Sequence, residues 1–385
     1  MTASSRVVER NLRPTATSGD LPGPARSRPA HPALAPSLRQ VTRPTVEPAS
    51  GLTVVDAFCG AGGLSAGLVS AGFELLAAAD RDADSCASLA AAHPKAEVIC
   101  GDVARLPIGQ LRGRVHLLAG GPPCQPWSSG GLRRGGEDER DGWPAYLDLL
   151  DRLRPDAFLA ENVPGMAAPG NAMQLRSLCE RMRELGYTVT PTLLDAADFG
   201  VPQRRRRLIL LGARGQTVAA PIPTHGPGRG HPWRSAGEVL TAEPDGVPNE
   251  SVVTYARKPQ VRASAYAGLL FNGGGRAVDP VAPAPTLLAS MGWNRTPWLD
   301  TEGVVEPYHA HLRAGGTPRS GPVPGARRLT TVEAARVQSF PDDHRFAGSL
   351  SSQYRQIGNA VPPLLAEHLG RAVQAALLNQ EAQVG

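Results

Sequence analysis

The residues best suited to chemistry lie in Gly120-Gly121-Pro122-Pro123-Cys124-Gln125-Pro126-Trp127-Ser128-Ser129. This stretch follows an apolar run, Val115-His116-Leu117-Leu118-Ala119, that reads as a buried strand. It is therefore expected to be a loop leaving a strand end, where open α/β sheets place their chemistry. Paired glycines let backbone approach a ligand closely, and paired prolines fix the path into Cys124. A cysteine among turn formers and polar groups, held on such a loop, is built like a nucleophile. Cys86, Cys100 and Cys179 sit in apolar or helical contexts and read as small buried hydrophobes.

Two further groups fit around such a nucleophile. Glu161 follows a fifth apolar run, Asp156–Ala160, on the same sheet rim as Cys124. A buried glutamate there can act as a proton donor. Arg204, Arg205, Arg206 and Arg207 then lead into the strand Leu208–Leu211. Alternation along a strand sends Arg205 and Arg207 to one side and Arg204 and Arg206 to the other. One pair can face the active site while the other meets solvent or phosphate.

The elements that must position these groups begin with Thr53–Phe58, a β-rich run. It turns through Cys59-Gly60-Ala61-Gly62-Gly63 into a helix, the first unit of a nucleotide-binding sheet. The second strand, Glu74–Ala79, ends in Asp80-Arg81-Asp82, about 20 residues beyond the glycines, where an acid can hold ribose hydroxyls. The third, Ala96–Cys100, ends in Gly101-Asp102-Val103, where a carboxylate can accept from an adenine amino group. Two acids at consecutive strand ends after a glycine turn point to a nucleoside cofactor.

Residues 1–50 mix Pro, Ala, Ser and Arg without periodicity and are expected to be a disordered tail. A catalytic domain is expected from 51–214 plus 326–385, interrupted by an irregular second domain at 215–325 that is rich in Gly and Pro. The formal net charge of +5 and pI near 9.2 suit a polyanionic partner. No CxxC pair suggests zinc, and no long apolar run suggests a membrane span or signal peptide, so a cytoplasmic protein is expected.

These residues together resemble the C5-cytosine DNA methyltransferases of bacterial type, over about residues 53–378. The resemblance is carried by Asp56-Ala57-Phe58-Cys59-Gly60-Ala61-Gly62-Gly63, Gly121-Pro122-Pro123-Cys124-Gln125-Pro126-Trp127-Ser128 and Glu161-Asn162-Val163. It continues through Gln203 to Arg207, Arg328-Leu329-Thr330 to Pro341, and Gly358-Asn359-Ala360-Val361-Pro362, in the family's usual order. Pro285-Thr286-Leu287 resembles the Thr-Leu element of its target recognition domain. Trp127 replaces the commoner Phe, and Arg81 stands where the family often has an apolar residue on the adenine.

The resemblance implies an α/β, Rossmann-like sheet that binds S-adenosyl-L-methionine, with a smaller irregular target recognition domain. It implies a catalytic set of Cys124, Glu161, Arg205 and Arg207. The cofactor residues would be Phe58, Gly60, Ala61, Gly62, Gly63, Asp80, Arg81, Asp102, Val103, Pro123, Asn359 and Ala360. DNA would meet Gln125, Ser128, Arg204, Arg206, Thr286, Trp293, Asn294 and Arg295. It further implies base flipping of the target cytosine in double-stranded DNA and monomeric action at the nucleoid, as either an orphan methylase or a modification enzyme with a cognate restriction endonuclease as functional partner. A tRNA cytosine methyltransferase of the same superfamily, a silent DNA-binding protein and a dinucleotide oxidoreductase are the rival readings. The first usually carries a Cys-Phe-Thr tripeptide that is absent here.

Overall fold

The computed structural model describes Leu34 and residues 51–123, 141–272 and 275–384. The first half alternates strand and helix: β1 Thr53–Ala57, α1 Gly63–Ser70, β2 Glu74–Asp80, α2 Ala83–Ala92, β3 Glu97–Cys100, α3 Ile108–Leu111 and β4 Leu117–Gly120. It continues with α4 Trp143–Leu153, β5 Ala157–Asn162, α5 Ala172–Glu184, β6 Thr190–Asp195 and β7 Arg206–Ala213. The strands form one seven-stranded sheet in the order β3-β2-β1-β4-β5-β7-β6. All neighbours are parallel except β7, which runs antiparallel to both β5 and β6.

The central strands are apolar on both faces, as a sheet covered on two sides requires. Leu117, Leu159, Ile209 and Leu211 meet Leu64, Leu68, Leu365 and Leu369 on one face. On the other, Leu118, Phe158 and Leu210 meet Tyr146, Leu149, Leu150 and Met182. The first face depends on the C-terminal helix, α9 Pro363–Val384, which lies against α1. A Cβ on Gly67 would sit 2.3 Å from the Pro363 carbonyl oxygen, so only glycine permits that approach. The end of the chain thus supports the turn that follows β1.

Between these parts lie β8 Thr254–Gln260, β9 Leu269–Asn272, β10 Trp298–Asp300, α6 Val305–Arg313, β11 Ala326–Arg328, α7 Thr331–Val337 and α8 Leu350–Asn359. Two hairpin-like pairs, β8 with β9 and β10 with β11, pack around Tyr255, Trp298 and Tyr308. A further cluster joins Leu240, Val278 and Leu287 to Val337, Phe340, Tyr354 and Ile357 of the α7–α8 region. The 215–325 segment therefore shares a core with the helices that follow it. Thr330 caps α7 with Glu333 in a capping box, and Arg327 grips Glu333 through two hydrogen bonds of 2.7 and 2.8 Å.

Several expectations change. Glu161 and Asn162 lie within β5 rather than beyond it, because the antiparallel partner β7 extends the pairing to Asn162↔Leu208. The sixth strand starts at Thr190 rather than Tyr187. Cys100 is exposed, not buried, because β3 is the sheet's edge strand. Leu34, inside the segment expected to be a disordered tail, is 8% exposed and joins the cluster around Leu240 and Leu287. The rest of residues 1–50 lies outside the described residues. No helix among the described residues is long and apolar enough to cross a membrane.

Candidate active site

The chain diverges to opposite sides between β1 and β4, and a crevice opens at the strands' C-terminal ends, where this topology places ligands. The crevice holds a cavity of about 600 Å³. Phe58, Gly60, Asp80, Arg81, Asp102, Val103, Pro123, Asn359 and Ala360, all expected at the cofactor, line it. Phe58 takes a left-handed φ of 61°, uncommon for an aromatic residue and characteristic of strained functional turns. Asp80 holds the glycine turn to the end of β2: its Oδ2 accepts from Gly60 N at 2.9 Å and its Oδ1 from Asp82 N at 2.9 Å.

Ala61, Gly62 and Gly63, also expected at the cofactor, are not on the cavity wall, and their roles are conformational. Gly62 is the left-handed N-cap of α1, with φ 85°. A Cβ on Gly63 would lie 2.4 Å from the Val361 carbonyl oxygen, so this glycine admits the C-terminal segment. Ala61 is buried in the turn. Arg81 reaches across the cavity mouth to the carboxylate of Asp102. The Ala104 N–H and the Arg81 guanidinium hold the Asp102 carboxyl below its usual range.

Asp56 and Asn162 had no role assigned from sequence. Asp56 is fully buried at the cavity wall; its Oδ2 accepts from Ser65 Oγ at 2.5 Å, and its Oδ1 has no hydrogen-bond partner among the described residues. Burial pushes its carboxyl up to about 7, with the Asp80 charge adding to the rise against the opposing Ser65 hydrogen bond. The available signal was an acid inside an otherwise apolar strand. Asn162 Nδ2 donates to the Pro122 carbonyl at 3.0 Å, fixing the segment that leads into Cys124. Gly142 N donates to Pro123 O at 2.9 Å, so the chain on either side of 124–140 is clasped at one point. Cys124, Gln125 and Ser128 lie outside the described residues.

Glu161 stands at this point. Its Oε1 is 2.6 Å from Arg207 Nε, an ion pair without hydrogen-bond alignment, with both side chains nearly buried. Its Oε2 faces Gly121, where a Cβ would be 3.4 Å away. A carboxylate, a guanidinium and the root of the cysteine loop thus meet beside the cavity, in the arrangement needed to hold a planar polar group by its edge.

The four arginines separate by burial. Arg205 is 1% exposed and, like Arg207, does not line the cavity; backbone carbonyls take up its guanidinium. Nη1 donates to Leu287 O at 3.0 Å, and Nη2 to Gly358 O at 2.9 Å and Asn359 O at 3.3 Å. Burial, with the Arg207 charge, pulls its pKa down to about 9, so it stays charged at neutral pH. Gln203 works beside it, accepting from Leu287 N at 3.0 Å and donating to Gln338 Oε1 at 2.7 Å. Together they seat the Thr-Leu element against the end of α8. Arg204 pairs with Asp195 at 2.8 Å and lies over the Trp233 ring at 4.3 Å, so protein groups engage it. Arg206 is exposed.

Thr286 Oγ1 donates to Arg204 O at 2.7 Å, which ties its segment to the arginine run. Thr286 and Arg295 line a second cavity, of about 550 Å³. Trp293 is 67% exposed on a left-handed turn, and Asn294 is exposed beside it.

The sheet order, the crevice and its acids define a nucleoside-cofactor-dependent transferase with a Rossmann-like core. The model of the family C-5 cytosine-specific DNA methylase matches residues 52–235 and 289–375. The Type II methyltransferase M.PspPI of Psychrobacter sp. (strain TA137) is 31% identical over 357 residues, covering 85% of this chain and 80% of the relative. M.NaeI of Lentzea aerocolonigenes is 34% identical over 337 residues, covering 86% and 76%. Among solved structures, S. pombe Dnmt2 methyltransferase has a TM-score of 0.61 at 20% identity, over 85% of this chain and 99% of its own. A putative DNA modification methyltransferase from an E. coli prophage gives 0.58 at 22% identity, over 85% and 99%. The chain belongs to the C-5 cytosine-specific DNA methylase family. It is a DNA (cytosine-5-)-methyltransferase, and its methyl donor is S-adenosyl-L-methionine.

Proposed function

We propose that this chain methylates one cytosine within a specific duplex sequence, with Cys124 as nucleophile and Glu161 and Arg207 holding the flipped base. The observation that carries this reading is the Glu161–Arg207 pair beside the cavity and the root of the Cys124 loop. Cytosine C5 is a poor nucleophile. The Cys124 thiolate adds to C6 and makes C5 enamine-like. Glu161 protonates or hydrogen-bonds N3 and so favours this addition, and Arg207 holds O2. When the C5 proton is lost, Cys124 leaves. Arg205, with Gln203, positions the Thr-Leu element.

S-adenosyl-L-methionine supplies an electrophilic methyl group on a sulfonium. The cavity fits its functional groups. Asp80 and Asp102, on the cavity wall, would hold the ribose and adenine, and the unpaired Asp56 oxygen would suit the amino acid's ammonium. The chain gives up stability for that oxygen. Its carboxyl ionises near 3.8 unfolded and about 7 folded, so the folded state holds the proton more tightly and loses relative stability as pH rises through that window. Asp56→Asn is expected to remove this loss in the cofactor-free protein. It should also weaken cofactor binding about 10- to 100-fold, the worth of a hydrogen bond to a charged group. Calorimetry at pH 5 and pH 8 checks both; unchanged affinity removes Asp56 from the cofactor site.

The names of the Type II relatives support a modification role. A cognate restriction endonuclease, residues 215–325 as target recognition region and action as a monomer are parts of the same proposal. The test supplies labelled S-adenosylmethionine with duplex DNA and with tRNA, then maps methylcytosine at base resolution. Label at one short recurrent DNA sequence is expected. Label on tRNA alone overturns the reading.

A further inference from the structure

Two cysteines that take no part in the methyl transfer meet beside the cofactor crevice. Cys86 lies on α2 and is buried, whereas Cys100 ends the edge strand β3 and is exposed; both are free thiols. The fold brings them together. Val98 of β3 packs against the cluster that holds Leu89 of α2, and Ile99 packs on the opposite face of the sheet. A period of two therefore returns Cys100 to the face that α2 covers. Cys86 Sγ donates to Asp80 O at 3.2 Å and lies 3.9 Å from Ile99 O, and Asp80 is the residue paired with Cys100 across β2 and β3. The two side chains are in direct hydrogen-bond contact.

The pair is also tied to the cavity wall. Asp80 O, which receives the Cys86 thiol, accepts from Gly101 N at 2.8 Å. Asp102, two residues beyond Cys100, lines the cavity. So do Asp82 and Ser85, whose 2.9 Å bond caps α2 one residue before Cys86. A movement of α2 against the end of β3 is thus passed to the acids of the crevice.

We propose that Cys86 and Cys100 are a modification site, oxidised by a peroxide to a disulfide that lowers the affinity for S-adenosyl-L-methionine. The sulfur of the exposed Cys100 attacks hydrogen peroxide. The O–O bond breaks, the sulfur becomes a sulfenic acid, and the leaving hydroxide takes the thiol proton as water. The Cys86 sulfur then attacks that of Cys100. The S–S bond forms, the S–O bond breaks, and hydroxide leaves with the Cys86 proton as a second water. The two thiols have given two electrons to one peroxide. Burial, with Cys100 and the Asp80 charge beside it, pushes the Cys86 thiol up to about 12, so it stays protonated until the sulfenic acid forms next to it. A disulfide holds its sulfurs about 2.05 Å apart, closer than hydrogen-bonded thiols stand. Closing it draws the end of β3 towards α2 and shifts Asp102 relative to Asp80. The inference rests on the cofactor reading of the crevice.

The test uses full-length Cys124→Ser, in which oxidation of the loop thiol plays no part, and a second form that also carries Cys100→Ser. Each is treated with hydrogen peroxide or with a thiol reductant. Mass mapping of unreduced peptides reads the linkage, and calorimetric titration with S-adenosylmethionine reads the affinity. Peroxide is expected to link Cys86 to Cys100 and to weaken binding about 10- to 100-fold, the worth of a hydrogen bond to a charged group. Reductant should restore both, and the Cys100→Ser form should show neither. Absence of that linkage overturns the proposal, as does a linked protein whose affinity stays within about twofold of the reduced one. An equal loss in the Cys100→Ser form also overturns it, since the damage then lies elsewhere. If the Cys100→Ser form binds no cofactor when reduced, Cys86→Ala takes its place in the same comparison. Reduced Cys124→Ser protein that binds no S-adenosylmethionine overturns the cofactor reading together with this one. Reduced protein that binds it and is indifferent to peroxide overturns this inference alone.

Discussion

Cys124→Ser is expected to reduce methyl transfer by about 10⁴-fold or more while leaving cofactor binding largely intact. A thiol with a pKa near about 8.5 supplies some thiolate at neutral pH, whereas a serine hydroxyl supplies almost no alkoxide and is the weaker nucleophile at carbon C6. No other cysteine among the described residues replaces it. Burial pushes the Cys59 thiol well up and keeps it protonated, although it lines the cofactor cavity. Burial likewise raises Cys86 and Cys179. Cys100 is exposed, but at the end of the edge strand β3 rather than on the cavity wall. The measurement is label transfer under single-turnover conditions, paired with cofactor titration. Near-wild-type turnover in the serine variant would remove Cys124 from the mechanism.

Glu161→Gln is expected to slow the reaction about 10²- to 10⁴-fold, the usual worth of a positioned general acid. The amide keeps the size of the side chain and can still meet Arg207, so the β5–β7 pairing through Glu161↔Ile209 is retained. It cannot deliver a proton to N3. Glutamine also gives up the 2.6 Å ion pair and leaves the nearly buried Arg207 without its counter-charge, so the base is held less firmly as well. Single-turnover label transfer, paired with a cofactor titration, measures the loss. A variant within about threefold of wild-type would show that Glu161 does not act on the base, because general acid catalysis is worth far more than that.

Much of this site is legible in the chain. The strand–glycine turn–helix at Thr53–Ser70, acids at the ends of consecutive strands, and a proline-locked cysteine after an apolar run are local patterns. Each depends only on nearest neighbours and on the alternation of buried faces. They determine a nucleoside-binding α/β sheet and the rim on which its chemistry stands. The same local logic reached Gly60, Asp80 and Asp102 on the cavity wall; the other six expected residues that line it came from the family resemblance. It failed at Cys100, because whether a strand lies at the edge is a property of sheet order and not of its own residues.

What the tertiary structure alone decided are the partners made across long sequence separations. Arg205 and Arg207 were expected on the same side of one strand, yet Arg205 lies before β7 and clasps the carbonyls of Leu287, Gly358 and Asn359 while Arg207 meets Glu161. Periodicity assigns a side chain to a face; it cannot say which carbonyl or carboxylate waits there. The unpaired oxygen of Asp56 belongs to the same class. A sequence specifies which groups can bond, but whether a buried group is left without a partner depends on every other group folded around it.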